Sequence, residues 1–253
     1  MNKVNGRAQT IYQGPHDSRG VRLDEMTSAE FAKAVGPDTV IVLPVGSVEK
    51  HGEHLPLGSD LIQPLHVLGE VCARTGAILA PPIPYGVITT TRSYAGGIGV
   101  SFDSLRAFVR DVLRDLVRHG AQRVLVVSGH AAHDHMAALR AAAQDVADEG
   151  RLRATVLSDY DIIYDRKDLP PREGHAGMIE TSRLLVHRPD LVKGRSPPAE
   201  NRLPRYAVVA DARPYWDGVT GDSSKATEAY GEALDRLVTD ELVALVEELR
   251  RRP

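Results

Sequence analysis

Two short apolar runs limit the fold more than any other part of the sequence: Val40-Ile41-Val42-Leu43-Pro44-Val45, and Val124 to Val127 after Arg123. Each is strand-length, continuous rather than alternating, and followed at once or after one residue by glycine (Gly46, Gly129). That is the pattern of strands buried on both faces, and such strands belong to parallel sheets covered by helices. Each run also ends in a polar string rich in His and carboxylates. In an open α/β sheet, sites gather at the carboxyl ends of the strands. After the first run come Glu49, His51 and Asp60. Residues two apart in an extended segment project to the same side, so Glu49 and His51 can face one point. Carboxylates and an imidazole gathered there suit a divalent metal ion.

The segments between these runs have helical spacing. Helices are expected at Ser28–Val35, Leu61–Arg74, Asp103–His119, Ala131–Val146 and Ala176–Val186. Short strands are expected at Ala77–Ala80, Ala154–Leu157 and Ala207–Val209. Gly221 to Ser224 reads as the cap of a final helix reaching about Leu249. Residues 83–102 and 160–174 read as loops, and a structureless loop of the former's length is usually functional. Alternating strand and helix predict an α/β chain, a three-layer α/β/α sandwich with a mainly parallel central sheet. Residues 1–22 read as an N-terminal arm and 23–253 as a single catalytic domain.

Composition narrows the function. The 31 basic and 34 acidic residues nearly cancel, to a net charge of −3, so nothing points to nucleic acid or an anionic membrane as a partner. No apolar run approaches the ~20 residues of a membrane span, and the first twenty residues lack the apolar centre of a signal peptide. Cys72 is the one cysteine, which fits a cytoplasmic setting, and its place in an apolar helical pattern marks it as core packing.

The string GSVEKHGEHLPLGSD (residues 46–60) resembles the signature GS-x-E-Q-H-G-x-H-L-P-x-x-x-D of the creatininase family, with Lys50 standing where that signature has Gln. SGHAAH (128–133) is similar to the family's N-G-H-G-G-N or N-G-H-x-E-N string, whose His binds metal. This carries over to His130, whereas Ala132 stands where some members have a Glu ligand. His133, one helical turn on, is open between a substrate-facing role and ligation. HAGMIETS (175–182) resembles H-A-G-x-x-E-T-S, which implies His175 and Glu180 as functional positions. The likeness extends through GVTGDSSKATEAYGEAL (218–234) and covers about residues 23–245.

The resemblance implies two divalent ions per subunit (zinc, manganese or iron) on Glu49, His51, Asp60, His130 and Glu180, with Asp60 shared. A hydroxide on these ions would cleave a non-peptide or cyclic amide C–N bond in a small polar substrate. His175 would serve as general acid/base, and backbone N–H groups after His130 would support the oxyanion. Tyr94 and Trp216 are candidate substrate contacts, since they fall in or beside the polar loops. Two other readings stand beside this one. One is a C–C bond hydrolase or isomerase of an oxidised cyclitol or keto-sugar; the other is a non-catalytic scaffold with a degenerate metal site. The family likeness also implies a homo-oligomer, a hexamer being the expected form.

Overall fold

The computed structural model describes residues 20–166, 169, 173–205 and 207–251. Four strands, β1 Val40–Val45, β2 Ile78–Leu79, β3 Arg123–Ser128 and β4 Arg153–Ser158, form one sheet. Their order is β2-β1-β3-β4, and every neighbouring pair is parallel. The helices are α1 Ser28–Ala34, α2 Ser59–Thr75, α3 Phe102–Arg118, α4 His133–Ala147, α5 Asp159–Tyr164, α6 Met178–His187 and α7 Glu228–Arg251.

The continuous apolar runs are explained by burial on both faces. Ile41, Leu43 and Val45 of β1 point to one side, against Val109 and Leu113 of α3 and Leu139 and Ala142 of α4. Val40 and Val42 point to the other, against Leu68 and Val71 of α2 and Leu242 and Val246 of α7. β3 splits in the same way, with Val124 and Val126 on the first side and Leu125 and Val127 on the second. Burying each such side chain stabilises the fold by about 1.5–3 kcal/mol. The chain is therefore a three-layer α/β/α sandwich. Cys72 packs in the second layer, and burial pushes its thiol up to about 12, which removes it as a nucleophile.

The strand ends position the site. Val45 of β1 pairs with Ser128 of β3, and Ser128 pairs with Ser158 of β4, so three strands stop at one level. The residues that follow, from Gly46, Gly129 and Asp159, are delivered to the same edge. β2 and β3 lie on opposite sides of β1, so the loops leaving β1 and β3 diverge and open a crevice between them.

A buried ionic network ties α6 to the second layer. Arg183 is fully buried, 2.8 Å from Asp159 of α5 and 2.7 Å from Asp235 of α7. Asp235 also approaches His187 at 2.9 Å, and the His187 ring lies 4.1 Å from that of His66 on α2.

Several expectations are corrected. Ala207–Val209 forms no strand; no partner strand runs beside it, and Val208 is fully exposed. Asp222 caps a separate 3-10 turn, Ser223–Lys225, and α7 begins only at Glu228. The expected loop 160–174 opens as α5, because Ser158 and Asp161 form a reciprocal cap. Phe108 of α3 is exposed although Leu105, Val109 and Leu113 of the same helix are buried. Residues 20–22 of the arm run beside β2, where the Leu79 N–H donates to Val21 O at 2.9 Å. Residues 1–19 lie outside the described residues.

Candidate metal centre

Five ionisable side chains converge in the crevice, all buried: Glu49 and His51 after β1, Asp60 in the first turn of α2, His130 after β3, and Glu180 in the first turn of α6. Asp60 joins them into one cluster. Its Oδ2 is 3.2 Å from His130 Nδ1, and its Oδ1 is 3.0 Å from His51 Nε2. Glu49 Oε1 is 2.8 Å from His130 Nδ1, and Glu180 Oε2 is 3.2 Å from His51 Nε2. The cluster thus has two corners, Glu49–Asp60–His130 and His51–Asp60–Glu180. Glu49, Asp60 and His130 bring one ligand atom each within 4.8 Å of one another, and so do Glu49, His51 and His175.

Backbone carbonyls set which ring nitrogen faces the cluster. His51 Nδ1–H donates to Glu49 O at 3.1 Å, His130 Nε2–H to Val87 O at 3.0 Å, and His175 Nε2–H to Lys50 O at 2.7 Å. A carbonyl can only accept, so in each neutral ring the opposite nitrogen keeps its lone pair. The carboxylates are oriented too. The Ser47 hydroxyl donates to Asp60 Oδ2 at 2.7 Å, the Thr91 hydroxyl to Glu49 Oε2, and the Ala176 N–H to Glu180 Oε2 at 3.0 Å. Ala176 is left-handed (φ 54°), which turns its N–H back toward Glu180.

The charges shift accordingly. Burial works against the imidazolium of His51, but the carboxylates of Asp60 and Glu180 outweigh it and raise the pKa to about 10. Burial likewise opposes the charge on His130, and Glu49 and Asp60 override it, lifting the pKa well above the ordinary value. Asp60 is held well below the usual carboxylate range because His51 and His130 outweigh its burial. Three carboxylates crowded together favour positive charge at the centre.

The other sequence candidates separate. His175 and Trp216 line the cavity above the cluster, of about 220 Å³, with Thr90, Thr91, Tyr160 and Tyr164. The His175 ring lies 4.2 Å from His51 and 5.2 Å from Trp216. Tyr94 does not line that cavity; its hydroxyl donates to Trp216 O and its ring lies under Lys50 Nζ. His133 is exposed, at the first residue of α4, and is likewise absent from the lining. The expected turn from His130 to His133 does not exist, because Ala132 is extended (ψ 136°) and the helix starts only after it. His135 is buried instead, edge-on to His130 at 4.8 Å, and burial lowers its pKa to about 3. Neither His135 nor Thr91 is among the sequence candidates; Thr91 sits in a loop without periodicity. Two glycines are dictated by close approach. A Cβ on Gly129 would lie 2.1 Å from Asp60 O, and one on Gly86 would lie 2.6 Å from His135 Nδ1.

The family model described as creatinine amidohydrolase matches residues 24–246. The chain belongs to the creatininase family. It is a metal-dependent amidohydrolase of that family, with an α/β fold matching creatininase structures. A creatinine amidohydrolase of Pseudomonas putida is 30% identical over 243 residues, covering 86% of this chain and 92% of that protein. A mycofactocin precursor peptide peptidase of Mycobacterium ulcerans is 31% identical over 223 residues, covering 81% and 84%. A mutant creatininase of the Zn-Zn type superposes with a TM-score of 0.80 at 25% identity, covering 93% of this chain and all of that one.

For a creatininase-family chain the donor set fits a divalent metal. Glu49 Oε1 is buried without a hydrogen bond, aimed at the corner it shares with His130. Mixed imidazole and carboxylate ligands suit zinc, manganese or iron. Among the described residues, no helix is long and apolar enough to cross a membrane.

Proposed function

We propose that the chain hydrolyses an amide C–N bond in a small polar substrate using two divalent ions. One would be held by Glu49, Asp60 and His130, the other by His51, Asp60 and Glu180. The observation that carries this reading is Asp60, which turns one carboxylate oxygen to each of two histidines. When bound, such ions supply Lewis acidity, lowering the pKa of water toward neutrality and polarising a carbonyl oxygen.

The protein's own groups supply the rest. His175, fixed by Lys50 O through Nε2, presents Nδ1 to the cavity and exchanges a proton with the leaving nitrogen. Trp216, pinned by its Nε1–H to Val219 O at 2.6 Å, backs the His175 ring and walls the cavity. Among the described residues no Lys or Arg lines the cavity, and Thr90, Thr91, Tyr160 and Tyr164 do, a lining suited to a neutral amide. The relatives act on creatinine in one case and a precursor peptide in another, and a site this small favours a compact group on the scissile bond. Residues 23–253 form the catalytic domain in this reading, in a cytoplasmic homo-oligomer, with a hexamer expected. Exposed Tyr85, Ile98, Val100 and Phe108 offer apolar surface for such assembly.

The test is metal content per subunit for native protein and Glu180→Gln, each purified without chelator, with products of an amide panel followed by mass. Two ions falling to one, and products that gain one water, support the proposal. One ion in both proteins removes Glu180 from the ligands, and no ion in either refutes the reading.

A further inference from the structure

His135 lies behind the metal centre, outside the cavity, and both of its nitrogens are engaged. The Val87 N–H donates to His135 Nδ1 at 3.2 Å. A backbone N–H can only donate, so Nδ1 is the acceptor and the ring proton sits on Nε2. That proton points to Ser128 Oγ, 3.0 Å away. Ser128 Oγ also accepts from His130 N at 3.0 Å and donates to His130 O at 2.8 Å. The backbone of Val87 is thus held on both sides of its Cα: its N–H by His135, its C=O by the Nε2–H of His130. His135 is fully buried, and its ring meets that of His130 edge-on at 4.8 Å. Gly86 leaves room for this arrangement, since any larger residue would strike His135 Nδ1.

We infer that His135 is a positioning residue for His130: through the backbone of Val87 and the Ser128 hydroxyl it fixes the ring so that Nδ1 faces Glu49 and Asp60. This rests on the metal reading above and adds a residue to it. His135 does not line the cavity. It determines where the Val87 carbonyl stands, and that carbonyl determines the tautomer and angle of His130. Partners of this kind behind a metal-binding histidine are worth about 10- to 100-fold in metal affinity.

The experiment measures stepwise zinc affinities by chelator competition in the full chain, alongside thermal midpoints. His135→Leu removes both hydrogen bonds. His135→Asn keeps an acceptor near the Nδ1 position for the Val87 N–H. Expected are two zinc ions in the native chain, with one of the two steps weakened about 10- to 100-fold in H135L and largely restored in H135N, although both variants melt earlier. A merely structural histidine would give losses that follow the thermal midpoint, equal in both variants, and that result overturns the inference. So does native affinity at both steps in H135L. If H135L does not fold, Ser128→Ala cuts the second arm, and the inference then requires the same single step to weaken. A native chain that binds no zinc fails the metal reading itself, whereas two tight ions untouched by these substitutions fail this inference alone.

Discussion

Arg183 provides the sharpest test of how the site's framework is held. It stands on α6, three residues after Glu180, and its guanidinium joins α5 and α7 through Asp159 at 2.8 Å and Asp235 at 2.7 Å. Its side chain is fully buried, and Asp159 is 1% exposed, so water screens neither. Arg183→Met keeps much of the stem and deletes the charge. Two buried carboxylates are then left without their main counter-charge, and breaking a buried pair in this way costs about 3–5 kcal/mol. For a chain of this size about 2–4 °C accompanies each kcal/mol, so the thermal midpoint should fall by roughly 6–20 °C. The loss should also depend on pH. Burial already raises the Asp159 pKa despite Arg183; without the arginine it rises further above its unfolded value. An acid with a raised folded pKa loses stability as pH climbs from the unfolded to the folded value, so the deficit should be larger at pH 8 than at pH 5. Adding Asp159→Leu removes one orphaned charge and should recover part of the loss. Scanning calorimetry of the three proteins at both pH values decides it. A midpoint within 3 °C of native for Arg183→Met, or a second substitution that only adds damage, would refute the reasoning.

Two further outcomes follow from the same structure. His54, His66 and His135 are depressed, chiefly by burial, to about 4, 4 and 3. Below pH 6.5 the unfolded chain therefore binds protons the folded chain refuses, and urea titrations of metal-free protein should show stability falling from pH 6.5 toward pH 4. A flat profile there would remove the three neutral imidazoles. Gly129→Ala should abolish metal binding while leaving far-ultraviolet dichroism near native, because its Cβ would overlap Asp60 O and push the bridging residue aside. Native zinc uptake by that variant would show that the two loops are not in close approach.

The residues that converge in the crevice could be read in the sequence because they sit in short strings that end or begin regular elements. Glu49, His51 and Asp60 fall within twelve residues, and the strand before them announces itself by β-branched burial. His133 and His135 show where such reading fails. They stand two residues apart, and choosing between them needs the helix phase. That phase is set by one dihedral, the extended ψ of Ala132, which has no signature in an alanine. Thr91 was illegible for a different reason: its loop is held by tertiary hydrogen bonds, which leave no period. Ala207–Val209 has strand composition but no neighbouring strand to pair with, and composition alone does not supply one.

His51, His175 and His130 each donate a ring N–H to a main-chain carbonyl, those of Glu49, Lys50 and Val87. Every amino acid carries that carbonyl. The residue at position 50 can therefore drift without disturbing His175, which accounts for a lysine where the family signature has glutamine. Position 87 is barred to proline, for want of the N–H that His135 accepts, and its place in the core asks for an apolar side chain. Orientation stored in the backbone survives substitution, so a ligand geometry of this kind can persist while the sequence around it diverges.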